Sequence, residues 1–260
     1  MALLRIANWS PDAPAIDACI APHGTTVFQG PLVRALASSS QVDAGAAGVS
    51  FPFVSAYAQV SPGQYDMRVV VAGAADCSVG VGPDRTSLPA LALGGAATFA
   101  LLGEVAPVGG DPHLSVVGFL DDISSKSGVA LRFINASPAL TPLDFGTGSD
   151  VFVTLFRGVA FGKAGAMLQA AGDAAAPVVD ANGYETVSKL MNATLSARAS
   201  SATADAMAGG ATTTGLSAAS GSVLTIAIVG GTSAGAQAQF VECVDNAGSA
   251  GVLSNCSVLP

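Results

Sequence analysis

The run Gly231-Thr232-Ser233-Ala234-Gly235 matches G-x-S-x-G, the pattern that presents a nucleophilic serine at a turn between a strand and a helix. Such a serine needs a histidine to take its proton and a carboxylate to orient that histidine. The chain has two histidines, His23 and His113, and both precede Ser233, whereas hydrolases with this elbow place the histidine after the serine. Ala236 to Val244 reads as the final strand of a sheet rather than as a helix. Ser233 is therefore disfavoured as a nucleophile and no catalytic residue is assigned. His23 lies beside Pro22 and Gly24, and His113 beside Asp111-Pro112, so both read as surface histidines in turns.

Other residue types allow further chemistry. Gly146-Thr147-Gly148-Ser149-Asp150 contains a G-x-G, but a phosphate-cradling loop must lead into a helix N-terminus. Val151 to Phe156 reads as a strand, which makes the motif a hairpin turn. Asp12, Asp17, Asp111, Asp121 and Asp122 could offer oxygens to calcium, which needs six to eight of them from a defined loop. No such loop pattern occurs, and Asp17 and Asp144 read as turn caps. The four cysteines, Cys19, Cys77, Cys243 and Cys256, form neither a C-x-x-C nor a cluster with histidine, so no metal is expected. Trp9, the single tryptophan, would form a sugar-stacking platform with Tyr57 or Tyr65 if exposed, and would be core packing if not.

These residues hang on strands. Leu3 to Ala7 and Ala130 to Ile134 are short apolar runs, each closed by Asn-x-Ser-Pro, where proline biases the preceding residue towards extended backbone. Ala15 to Ile20, Phe51 to Val60 and Gln64 to Val71 alternate in polarity, and Ser61-Pro62-Gly63 has the composition of a hairpin turn. Within Gln64 to Val71, alternation puts Tyr65, Met67, Val69 and Val71 on one face. Ala97 to Gly103 and Leu114 to Leu120 are two further apolar strands. The stretches Gly158 to Ala176 and Ser200 to Ser220 read as loops.

The pattern repeats. Leu4-Arg5-Ile6-Ala7-Asn8-Trp9-Ser10-Pro11 returns 127 residues later as Leu131-Arg132-Phe133-Ile134-Asn135-Ala136-Ser137-Pro138. At the same offset Tyr57 and Val60 meet Tyr184 and Val187, Ser61 meets Ser188, and Thr98 to Gly103 meet Thr225 to Gly230. Three blocks at one spacing imply a tandem duplication, residues 1–126 and 127–260. With about six or seven strands per half and no alternating amphipathic helices, the fold expected is all-β, two tandem immunoglobulin-like antiparallel β-sandwich domains. Repeat two carries Lys189-Leu190 where repeat one has its Pro-Gly turn. Cys19 and Cys77 fall opposite Gly146 and Ala204, so both are missing from the second copy together, as bonded partners would be. Three connectivities are possible, and Cys19 with Cys77 and Cys243 with Cys256 is preferred. Disulfides imply an oxidising compartment.

Charged residues make up 11% of the 260, and the net charge is −8. The ten basic residues are scattered singly, which excludes phosphate-backbone binding by a basic patch and argues against a nucleic-acid partner. Mean hydropathy is high at +0.55, yet no run approaches the length of about 20 apolar residues that a spanning helix needs, so no transmembrane segment is expected. Met1 to Arg5 has no features of a signal peptide, and the expectation is a mature form whose export segment was replaced by Met1.

The run from Asn8 to Asp17, with Ser10-Pro11-Asp12-Ala13-Pro14 at its centre, resembles the opening signature of a bacterial family, domain of unknown function 4397. Tyr57-Ala58-Gln59-Val60-Ser61-Pro62-Gly63-Gln64-Tyr65 is similar to its second hallmark, a tyrosine before a Pro-Gly turn. The first hallmark returns in Asn135 to Asp144, with Ala139 and Thr141 in place of Asp12 and Pro14. The resemblance implies two tandem copies of an exported or surface-attached β-sandwich, with no catalytic residues to carry over and no cofactor. The expected function is a non-catalytic secreted or cell-surface module with an adhesion, matrix or structural role, its partner a cell-surface polysaccharide or envelope protein. The alternative is a carbohydrate-binding module using Trp9, Tyr57 and Tyr65; a serine hydrolase stands third.

Overall fold

The computed structural model describes residues 1–33, 48–124, 126–140, 142–148, 152–165, 179–187, 190–200, 211–246 and 255–260. Expectations resting on Thr141, Ser149, Asp150, Val151, Ser188, Lys189 and Ala204 lie outside these residues. The chain forms two compact units. Unit 1 is Met1–Pro107, Pro112–Ile123 and Ala247–Asn255; unit 2 is Val108–Asp111, Ser124–Asn246 and Cys256–Pro260.

Unit 1 carries β1 (Ala2–Asn8), β2 (Ile16–Pro22), β3 (Ala58–Val60), β4 (Tyr65–Val71), β5 (Ala96–Leu102) and β6 (Ser115–Asp121). One sheet has the order β3-β1-β5-β6, and β2 pairs with β4 in a second. The inward residues of both layers, among them Leu4, Ile6 and Phe99 from the first and Ile16, Ile20, Tyr65 and Met67 from the second, meet in one core. Burying a large apolar side chain of this kind contributes roughly 1.5–3 kcal/mol.

Unit 2 carries β7 (Val129–Asn135), β8 (Leu143–Thr147), β9 (Val153–Val159), β10 (Lys163–Ala164), β11 (Tyr184–Val187), β12 (Leu190–Ala199), β13 (Thr212–Ala218), β14 (Val223–Val229), β15 (Gln239–Val244) and, from Cys256 on, β16 (Asn255–Val258). One sheet runs β10-β7-β14-β15-β16 with β11 also on β7, and the other runs β13-β12-β8-β9. Phe133, Phe145, Phe156 and Phe240 fill the space between them, with Phe133 and Phe145 stacked 4.3 Å apart. The molecule is all-β, with facing sheets over a core, as expected of a β-sandwich.

Not every pairing is antiparallel. β1 runs parallel to β5, Leu3 opposite Ala96 and Arg5 opposite Thr98. β7 runs parallel to β14, Ala130 opposite Val223 and Arg132 opposite Thr225, so the register recurs 127 residues on (Leu3 to Ala130, Ala96 to Val223). Ser61-Pro62-Gly63 is not a hairpin. β3 pairs with β1, whereas β4 pairs with β2, so the turn carries the chain from one sheet to the other. Gly63, at φ 152°, takes the bend where a side chain is disfavoured. Tyr65, Met67 and Val69 face the core as alternation requires, while Val71 at the strand end is exposed.

Three other expectations need correction. Of Phe51 to Val60 only Ala58–Val60 is strand. The Thr-rich stretch expected as loop contains β13, where β-branched Thr212, Thr213 and Thr214 suit a pleated edge. β15 is not the final strand, because β16 follows it.

Candidate functional site

The largest polar side chains sealed inside the units are Arg5 and Arg132, each about as buried as the core phenylalanines. Arg5 points from β1 to the neighbouring β5, where its Nε donates to Thr98 Oγ1 at 2.7 Å. Thr98 Oγ1 donates in turn to Asp121 Oδ2 at 2.7 Å. Tyr57 Oη donates to the same oxygen at 2.7 Å, and its ring lies 4.8 Å beneath the guanidinium. Arg5 and Asp121 are 3.6 Å apart. Unit 2 builds the same group. Arg132 Nε and Nη2 donate to Thr225 Oγ1 at 3.0 and 2.8 Å, Thr225 and Tyr184 both donate to Asp245 Oδ2, and the Tyr184 ring lies 4.6 Å from the guanidinium. A charge this deep persists only when paired and hydrogen-bonded. The cluster ties together β1, β5 and β6 in unit 1 and β7, β11 and β14 in unit 2.

The arginine, threonine and tyrosine of this cluster lie within the repeated blocks, but the aspartate was missed. At the fixed offset Asp121 faces Gly248, not Asp245. The connection between the paired strands is shorter in unit 2, where Val229 pairs with Gln239 while the equivalent Leu102 pairs with Ser115. Aligning by strand register rather than by position would have found it.

The hallmark residues of the first repeat are clips. Asn8 Nδ2 donates to the carbonyls of Pro14 and Val49, and its Oδ1 accepts from Ser10 N. Asp12 accepts from Val105 N and Ala106 N, one on each oxygen, both at 2.8 Å, and from Ser10 Oγ. Asp17 Oδ1 accepts from Ala18 N and Val33 N, both at 2.7 Å. Tyr65 Oη donates to Ser61 O across the Pro-Gly turn. In unit 2 Asn135 repeats the work of Asn8 on Leu140 and Val159, and Asp144 Oδ1 accepts from Gly158 N and Ser200 Oγ. Replacing Asp12 with alanine is expected to cost about 1 kcal/mol and to speed amide exchange at Val105 and Ala106 selectively, as read by hydrogen–deuterium exchange.

The aromatic platform does not form. Trp9 is 1% exposed and Tyr65 7%, and Tyr57 is committed to the Arg5 cluster. None of the two buried rings presents a face on which a sugar could stack. The cysteines pair as preferred, Cys19 with Cys77 and Cys243 with Cys256.

Ser233 N and Oγ both donate to the carboxylate of Asp111, each at 2.6 Å, so the hydroxyl proton is given to a carboxylate rather than to an imidazole. The turn after it leads into β15, not a helix. His23 does meet a carboxylate, which its turn setting concealed. Its Nδ1 lies 2.8 Å from Asp66 Oδ1, and its Nε2 lies 3.4 Å from Ser87 Oγ. Ser87 has a left-handed backbone, φ 58°. The order Ser–His–Asp invites a catalytic reading, but the usual oxyanion donors of that segment are spent. Ser87 N donates to Asp66 Oδ1, Leu88 N to Tyr65 O, and residue 89 is proline, with no N–H to give. The array therefore holds the loop of Ser87 against β4.

The hydrogen bond from His23, helped by the backbone N–H groups of Ser87 and Gly24, holds the Asp66 carboxyl below the ordinary carboxylate range. A lowered folded value stabilises the fold above the unfolded pKa of about 3.9, and that contribution disappears as pH falls through the folded value. Asp66→Asn is expected to weaken the protein at neutral pH and to flatten its loss of stability below about pH 4, as measured by denaturant melts across pH.

Among the described residues no group of three or more His, Cys, Asp or Glu is placed to hold a metal ion, and no helix is long and apolar enough to cross a membrane. A family model described as Domain of unknown function (DUF4397) matches residues 2–146. No curated protein matches the chain.

Proposed function

The chain belongs to the DUF4397 family, and from that premise we propose a non-catalytic module of the cell surface or its matrix, made of two copies of one sandwich, with an adhesive or structural role. The observation that carries this reading is the use of the hallmark residues. Asn8, Ser10, Asp12, Asp17 and Tyr65 each spend their polar atoms on the protein's own backbone or on one another. What the hallmark preserves is architecture. The recurrence of parallel register and of the buried Arg–Thr–Tyr–Asp cluster supports duplication.

Two disulfides support export, because thiols stay reduced in most cytosols. With only ten Lys and Arg residues, two of them fully buried, trypsin-like proteases find few sites, which suits a module exposed outside the cell. The partner is a surface polysaccharide or an envelope protein. The test is fractionation of native cells with intact-mass analysis after alkylation without reductant. The reading requires the protein in the envelope or medium with no alkylated cysteine; a cytoplasmic pool carrying alkylated cysteines would refute it.

A further inference from the structure

Asp66, His23 and Ser87 are graded in exposure. The Asp66 side chain is 7% exposed and that of His23 41%, and Ser87 is open to solvent. Asp66 Oδ1 lies 2.8 Å from His23 Nδ1 and accepts from Ser87 N at 2.8 Å, while its Oδ2 accepts from Gly24 N at 3.1 Å. These donors keep the carboxylate ionised. Nδ1 of a neutral His23 therefore carries the ring proton, and Nε2 is left as a bare acceptor. That acceptor faces Ser87 Oγ at 3.4 Å. The hydrogen bond between them runs from hydroxyl to ring, and among the described residues the hydroxyl has no second partner. Contacts between a nucleophile and its base are commonly this loose before a reactant arrives.

The sandwich does not require the array. Ile20 opposes Met67 in unit 1 and Thr147 opposes Leu195 in unit 2, so Thr194 stands where unit 1 has Asp66. At the repeat spacing His23 faces Asp150. The pairing of carboxylate with histidine is thus particular to unit 1. Ser87 also holds the left-handed backbone, φ 58°, that glycine would adopt with less strain. Backbone strain of this kind is retained where the direction of a side chain matters. With the neighbouring N–H groups spent on Asp66 and Tyr65, nothing from Ser87 to Pro89 steadies an oxyanion, which rules out efficient turnover of ordinary esters. A single displacement on a carbonyl with a good leaving group has a lower barrier and needs only the base.

We infer that Ser87 is a stoichiometric acyl acceptor on the surface of unit 1, with His23 as its base and Asp66 orienting His23, and that the donor is a small activated ester or thioester. Ser87 Oγ bonds to the acyl carbon while its proton passes to His23 Nε2. The bond from that carbon to the leaving oxygen or sulfur breaks, and the leaving group takes the proton from Nε2. The product is an alkyl ester at Ser87. A serine alkoxide leaves far less readily than a phenolate or thiolate, so water does not clear the ester and the acyl group stays. The inference is independent of the surface role proposed above and stands or falls by itself.

The full chain is treated with para-nitrophenyl acetate, release of nitrophenolate is followed by absorbance, and the acetylated residue is located by peptide mass spectrometry. The expected result is a burst of one nitrophenolate per chain without sustained turnover, and acetyl on Ser87. Ser87→Gly, which suits the left-handed backbone and removes the hydroxyl, should abolish the burst. His23→Gln should slow it at least ~tenfold. The buried Trp9 reports by its fluorescence that unit 1 is folded in both variants. The parent chain unfolded in urea should lose the preference for Ser87. Acetyl spread over lysines and other serines, an unchanged burst in His23→Gln, equal labelling of Ser87 in the unfolded chain, or no labelling at all would each overturn the assignment. Sustained turnover lost in Ser87→Gly would overturn it in favour of a hydrolase.

Discussion

Replacing Arg5 with methionine is expected to destabilise unit 1 by about 3–5 kcal/mol. Methionine fills much of the arginine's volume, so the loss is electrostatic rather than a cavity. It strands Asp121, which lies inside the unit, without the guanidinium 3.6 Å away, and it removes the cation from the face of Tyr57. Thr98 and Tyr57 would still donate to Asp121, but two neutral hydroxyls do not neutralise a buried carboxylate. The double variant Arg5→Met with Asp121→Asn removes both charges and should recover a large part of the loss. Trp9, the single tryptophan, is buried in unit 1, so its fluorescence in a urea titration reports this unit directly. A single variant as stable as the parent would show that the charge pair contributes nothing.

Removing the Cys19–Cys77 bond by a double alanine substitution is expected to cost about 4 kcal/mol, given its separation of 58 residues. The Cys243–Cys256 bond spans 13 residues and should be worth about 3 kcal/mol. The two should also differ in reporter. Loss of the first should move the Trp9 fluorescence transition to lower urea, and loss of the second should leave it nearly in place, since both its cysteines belong to unit 2. Equal shifts from the two removals would argue against this assignment.

Local pattern and internal comparison revealed different things. The strand cores around Arg5 and Arg132, closed by Asn-x-Ser-Pro, and around Thr98 and Thr225, which end in glycine, were legible because both blocks recur at one constant spacing. The disulfide pairing was legible because two cysteines vanish together from the second half. Sheet membership was not. Ser61-Pro62-Gly63 announces a change of direction, but its composition does not say whether the next strand lies beside the last or across the core. The parallel ladder of β1 with β5 was also hidden, since it joins segments about 93 positions apart (Arg5 with Thr98) and leaves no local trace. Trp9 could have been read either way from its position at a strand end, and only the packing of unit 1 decides it. His23 looked like an isolated turn residue because Asp66 and Ser87 reach it from distant parts of the chain. Asp245 escaped because a shorter connection moved it off the constant spacing.

The parallel ladder has a temporal side. In unit 1 the first strand made by the ribosome occupies an inner place in its sheet, flanked by β3 and by β5. Its longer ladder cannot close until residues 96–101 have been synthesised and released. Nearly the whole of this half must therefore exist before its main sheet can assemble, and contacts of such long range make for slow acquisition of structure. For as long as the late strand is missing, one edge of β1 stays unpaired and open to wrong partners, a hazard that strands joined by adjacent hairpins avoid.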